Sequence, residues 1–171
     1  MSKPLDLPFD PIARAAQTWE DRFGDAKAMA AVTTIMRVQQ ILLGQLDSLL
    51  RPHGLTFARY EALVLLTFSQ AGELPLSKIG ERLMVHPTSV TNTVDRLEKS
   101  GLVVRRPNPL DGRGVLAAIT ERGRKVVEGA TSELMAMDFG LSGYDEAACR
   151  ELFEVLRPLR IAAGDFTPPA A

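Results

Sequence analysis

Two short helical patterns abut across Val85-His86-Pro87, and this joint constrains the fold more than any other feature of the sequence. Proline cannot continue a helix, because it lacks an N–H and its ring clashes with the preceding turn, yet it suits the first turn of a new one. The joint therefore predicts one helix over 76–83 and a second from Pro87 to Lys99, closed by Gly101. Leu102 to Arg106 then reads as a strand, PNPLDGRG as an exposed turn and Val115 to Ile119 as a second strand. A helix-turn-helix motif at 76–99 followed by a β-hairpin wing at 102–119 is the expected unit, and its second helix is the one that enters a DNA major groove.

A step of 100° per residue places Val90, Val94 and Leu97 on one face of that second helix, where they can pack inward. Thr88, Ser89, Asn92, Arg96 and Lys99 fall on the opposite face. Hydroxyls, an amide and two cations are the groups that bond base edges and phosphates, and Asn pairs well with the N6 and N7 atoms of adenine. A merely solvated helix face would carry the usual excess of Glu and Lys. The wing adds Arg105 and Arg106 at its base and Arg113 at a thin tip, where a guanidinium suits a narrow, strongly negative minor groove. Asp111 is the expected partner holding Arg113 in place, although a plain surface ion pair has the same geometry.

Charge follows the same division. The whole chain is at −1, but residues 82–125 hold nine basic against four acidic side chains, a surplus of five. A basic segment in an otherwise acidic chain marks a local nucleic-acid surface.

The flanking sequence predicts a mainly α architecture. Residues 1–26 form an N-terminal extension with a short helix over Pro11 to Phe23. A long helix over 27–52 carries Ile35, Val38, Leu42, Leu46 and Leu49 at spacings of three and four, widened by Met36, Ile41, Leu43 and Leu50. A helix capped by Thr56 runs to about Ser69 and opens the winged lobe at 56–119. Helices at 120–138 and 144–163 complete a domain spanning 27–163, and 164–171 is a flexible tail. The apolar stripe of the last helix, Ala148, Leu152, Val155, Leu156 and Leu159, exceeds what one small lobe can cover. Together with the stripe on 27–52 it predicts a homodimer.

Other classes find little footing. None of the Gly-rich phosphate loops, the G-x-S-x-G elbow or the H-E-x-x-H pattern is present, so no catalytic residues are assigned. Two histidines and one cysteine are too few for the usual zinc patterns or an internal disulfide, and no metal or cofactor is expected. With no spanning segment and no signal-peptide pattern, a cytoplasmic protein without membrane contact is expected. The remaining alternatives are a winged-helix module that binds protein rather than DNA, and a redox sensor acting through Cys149. The polar face of 87–99 speaks against the first, and the Ala-flanked setting of Cys149 speaks for a packing role.

The stretch SVTNTVDRLEKSGLVVRRPNPLDGRGVLAAITERG resembles the signature of the MarR family of winged helix-turn-helix regulators. The matching residues are DRLE at Asp95 to Glu98, Gly101-Leu102, Arg105, Asp111-x-Arg113 and Thr120-x-x-Gly123. The resemblance implies a homodimer interlocked through its first long helix and last two helices, a palindromic double-stranded operator, repressor action and release by a small ligand. It also implies that Arg113 is the minor-groove residue. Residues 11–23 resemble the added first helix of a urate-responsive subgroup, with Trp19 at its ligand-binding tryptophan and Glu61 at an acidic position. This chain has Thr93 where that subgroup carries an arginine, which leaves carboxylates other than urate open. Trp19 and Arg22, three residues apart, can offer an aromatic platform and a cation to a carboxylate or aromatic acid between the N-terminal helix and the winged lobe. Arg14, His53 and Arg59 are further candidates for pairing the anion, and Trp19 can equally be an interface anchor.

Overall fold

The computed structural model describes residues 6–109 and 111–169, the side chains of Gly112 and Arg113 excepted. Its elements run α1 (Pro11–Phe23), α2 (Lys27–Leu50), α3 (Phe57–Phe68), β1 (Glu73–Pro75), α4 (Leu76–Leu83), α5 (Pro87–Lys99), β2 (Val103–Asn108), β3 (Asp111–Ile119), α6 (Glu121–Ala136) and α7 (Glu146–Ala162). It is mainly helical with a small antiparallel sheet, as the sequence predicts.

Local chemistry sets most boundaries. Asp10 caps α1 by accepting from Ile12 N at 2.8 Å and Ala13 N at 3.2 Å, with Pro11 in the first turn. α2 ends in a 3-10 turn over Arg51–His53, closed by Gly54 at φ 72°. Thr56 occupies the N-cap position of α3, but its hydroxyl makes no capping bond. The cap comes from ten residues upstream, where Asp47 Oδ1 accepts from Phe57 N at 2.7 Å and fastens the end of α2 to the start of α3. Between α4 and α5 the left-handed Met84 (φ 51°) turns the chain, and His86 Nδ1 accepts from Thr88 N at 3.2 Å to cap α5.

The core lies in the winged lobe and the helices under it. Leu63 and Leu66 of α3, Ile79 of α4, Val94 and Leu97 of α5, Val103 of β2 and Leu134 of α6 are all fully buried, and Leu50 closes the cluster from α2. Tyr60 reaches across to α6, its hydroxyl 2.9 Å from Thr131 Oγ1. At this polar end of a mostly apolar ring the phenol keeps a hydrogen-bond partner, as buried tyrosines do.

The wing departs from its predicted shape. The sheet has the order β1-β3-β2. β2 and β3 pair from Val103↔Ile119 to Pro107↔Val115, then shift register and pair Asn108↔Asp111, so most of PNPLDGRG is strand. Pro107 is tolerated because β2 is an edge strand, where the missing N–H interrupts no inner ladder. The third strand, β1, pairs Glu73↔Ala118 to Pro75↔Leu116 and was not predicted.

At the root of the wing one residue pair sets the entry into α6. Thr120 caps the helix by accepting from Gly123 N at 3.0 Å, and its hydroxyl donates to Gly101 O at 2.9 Å. A Cβ on Gly123 would lie 2.3 Å from Leu102 O and 2.8 Å from Ile119 Cγ1, so the backbone of the wing passes where any side chain would stand. Gly101 itself sits at φ 68°, the left-handed position that ends α5.

The two ends of the chain are left uncovered. α1 makes its extensive contact with α2, not with the winged lobe as the sequence reading placed it. Along α2, Leu46 and Leu50 are buried, whereas Val32, Ile35, Met36, Val38 and Ile41 are exposed. No residue of α7 is buried, although Leu152, Val155, Leu156 and Leu159 form one apolar stripe. No helix among the described residues is long and apolar enough to cross a membrane, and no group of His, Cys, Asp and Glu there is placed to hold a metal ion.

Candidate nucleic-acid interface

The second helix of the motif has the two faces that its sequence predicts. Val90, Val94 and Leu97 are buried at 3%, 0% and 1% exposure, which fixes the rotation of α5 about its axis. Thr88, Ser89, Asn92, Arg96 and Lys99 are thereby left exposed on the other side, together with Thr91. With a rigid rear face and small polar groups in front, the helix can present donors and acceptors to a groove without first ordering long side chains.

Arg105 is placed differently from the expectation of a DNA contact. Its guanidinium bonds Asp95, lies 3.4 Å from Glu98 Oε2 and donates to Thr91 O at 3.3 Å. Its backbone N–H also donates to Glu98 Oε1 at 3.1 Å. Two carboxylates and a carbonyl hold this side chain against α5, so it clamps the base of the wing to the recognition helix instead of reaching outward. The same geometry explains the acidic residues of the DRLE motif: Asp95 and Glu98 face the wing, Leu97 faces the core and Arg96 faces solvent. Arg106 is more exposed and lies 3.7 Å from Glu73 of β1. At the tip, a Cβ on Gly114 would come within 2.8 Å of Asp111 Oδ2 and 3.1 Å of Asn108 Nδ2, so Gly114 lets those two side chains crowd over β3. The side chain of Arg113, and with it the expected pairing to Asp111, lies outside the described residues.

The residues assigned from sequence to a small anion do not gather in one place. Trp19 is 40% exposed on α1 with its ring 4.9 Å from that of Phe23, and Arg22 is exposed on the same helix. Arg14 lies over the ring of Phe9 at 4.7 Å. His53 faces α6, where its Nε2 lies 3.1 Å from Glu133 Oε1. Arg59 lines a concavity with Asn92, Arg96 and Lys99, beside the recognition helix. Glu61 is half-buried on α3, and burial pushes its carboxyl above the usual range. Cys149 is half-buried in the first turn of α7.

Sequence reasoning missed the placement of Arg59, the clamp on Arg105 and the cap supplied by His86. His86, two residues before an N–H with no partner in its own helix, is a signal that could have been read. Contacts between α3 and α5, far apart along the chain, leave no such trace.

Comparison with known proteins agrees with this geometry. The model of the MarR family matches residues 58–115, from α3 into the second strand of the wing. The chain is 70% identical to Sco5413, a MarR family transcriptional regulator from Streptomyces coelicolor, with a TM-score of 0.78 over 82% of this chain and 98% of that one. It is 33% identical to YhbI, an HTH-type transcriptional regulator of Bacillus subtilis, over 75% of this chain and 76% of the relative. CouR from Rhodococcus jostii, solved bound to p-coumaroyl-CoA, is 28% identical with a TM-score of 0.66 over 79% of this chain and 93% of that one. The chain belongs to the MarR family and is a winged helix-turn-helix transcriptional regulator, not an enzyme.

Proposed function

We propose that this regulator binds a palindromic operator as a homodimer, in the manner of a repressor, and that a small anionic ligand releases it. The observation that carries the reading is the exposed Thr88, Ser89, Asn92, Arg96 and Lys99 face of α5, held outward by the burial of Val90, Val94 and Leu97. Arg113 at the wing tip is proposed as the minor-groove residue, and Arg105 as the clamp that keeps the wing at a fixed angle to α5. The test is a gel-shift on DNA flanking the protein's own gene, repeated with Asn92→Ala. That variant is expected to lose discrimination at one base position, by about 1–3 kcal/mol, and little elsewhere. A loss spread evenly over all sequences would remove Asn92 from base reading.

The dimer is proposed from what the single chain leaves bare. An amphipathic α7 without a buried residue, and the uncovered N-terminal half of α2, are apolar surfaces of the kind a second copy covers. A two-fold dimer would present two recognition helices to half-sites one helical turn, roughly 10 base pairs, or a multiple apart.

For the ligand, CouR supplies a precedent with an anionic aromatic acyl thioester. In this chain Trp19 and Arg22 are proposed to meet a carboxylate or aromatic acid where α1 lies against the assembled dimer. A ligand there can shift the equilibrium between two spacings of the lobes only by its differential affinity for them, typically about 1–3 kcal/mol. Trp19→Ala is accordingly expected to bind operator normally and to lose about 5- to 150-fold of ligand-induced weakening. An unchanged response in a dimer that still binds DNA would place the ligand elsewhere.

A further inference from the structure

Arg59 was expected to serve a small anion, yet the fold carries it to the edge of the recognition helix. It lines a polar concavity between the start of α3 and the C-terminal half of α5, with Thr56, Asn92, Arg96 and Lys99. The guanidinium is held from behind: Nε donates to Thr56 Oγ1 at 3.2 Å and Nη1 to Gly54 O at 3.1 Å. Nη2 makes no hydrogen bond among the described residues. The carboxylate in the lining, Asp95, is bonded to Arg105, so Arg59, Arg96 and Lys99 face the concavity with their charge uncompensated there. Three cations around a polar hollow fit an oxyanion. Asn92, Arg96 and Lys99 also belong to the face of α5 proposed above to meet the major groove, so on that reading the hollow borders the groove.

We propose that Arg59 completes a cradle with Arg96 and Lys99 that grips one backbone phosphate of the DNA strand beside the recognition helix. The proposal rests on the DNA-binding reading given above. A phosphate held between α3 and α5 would fix the depth and register of the helix in the groove while reading no base. The pre-held guanidinium favours this role, since less side-chain freedom is lost on binding than for an unrestrained cation.

Anisotropy titrations of the full chain with operator and non-operator duplexes, across a range of salt, test it. Arg59→Gln should weaken both duplexes by the same factor. With one phosphate contact fewer, the advantage of wild type over the variant should shrink by roughly threefold between 50 and 200 mM salt. Arg59→Lys keeps the charge and should keep the wild-type slope, which separates a phosphate contact from a merely structural role. Equal weakening in both variants with unchanged slopes would overturn the cradle. So would wild-type affinity in Arg59→Gln, and in that case the DNA-binding reading stands because wild type still binds operator. Failure of wild type to bind any duplex would overturn both.

Discussion

Gly123→Ala is expected to destabilise the protein by about 3 kcal/mol or more, against a helix propensity that by itself favours alanine by about 1 kcal/mol. The new methyl would stand 2.3 Å from the Leu102 carbonyl and 2.8 Å from Ile119. The first of these is backbone at the root of the wing and cannot swing aside as a side-chain terminus can. Relief requires α6 to move away from the junction, which stretches the Thr120 cap and its bond to Gly101. For a chain of this size the midpoint of thermal unfolding should fall by roughly 6–12 °C at matched protein concentration. Gly129→Ala, on the same helix, is the control. Its methyl would meet His53 Cε1 at 3.5 Å, an ordinary contact, so the midpoint should hold or rise. Equal midpoints for the two variants would show that Gly123 is not held by the wing.

Leu159→Asp is expected to split the dimer. In the single chain Leu159 is 64% exposed, and a charge there would change stability by no more than about 0.5 kcal/mol if the surface stayed wet. In a two-fold interface the substitution appears twice. Each unpaired carboxylate pulled from water costs about 2–5 kcal/mol, or roughly 4–10 kcal/mol per dimer. Sedimentation at micromolar concentration should then show monomer where wild type shows dimer. Far-ultraviolet circular dichroism should remain largely unchanged, because Leu63, Leu66, Val94 and Leu97 lie in a core that α7 does not complete. Operator affinity should fall with the dimer, since one lobe reads only half a site. A variant that sediments as dimer would remove α7 from the interface.

How much of this was legible beforehand depended on how local each cause is. Helices α4 and α5 and the joint between them could be read because Pro87, the Val90/Val94/Leu97 spacing and Gly101 act over a few residues. β1 could not, since Glu73–Pro75 is too short to show alternation and is strand only because β3 lies beside it. The first strand of the wing was drawn too short because Pro107 and Asn108 lack the composition of a strand, while their pairing to β3 is decided by register. For the site, the outward face of α5 followed from periodicity. Arg105 did not, because a cation beside a predicted groove looks the same in sequence whether or not Asp95 and Glu98 have taken it. Arg59 is the mirror case: its neighbours Arg96 and Lys99 lie some forty residues onward, and only the packing of α3 on α5 brings them together.

Two recognition helices presented by one dimer are proposed to read one two-fold operator. The deciding measurement is footprinting of the wild-type protein on DNA flanking its own gene, with the mass of the complex measured in parallel. Two copies per bound duplex and two symmetric protected half-sites are expected, with centres roughly 10 base pairs or a multiple apart. One copy on the duplex, or protection without two-fold symmetry, would contradict it.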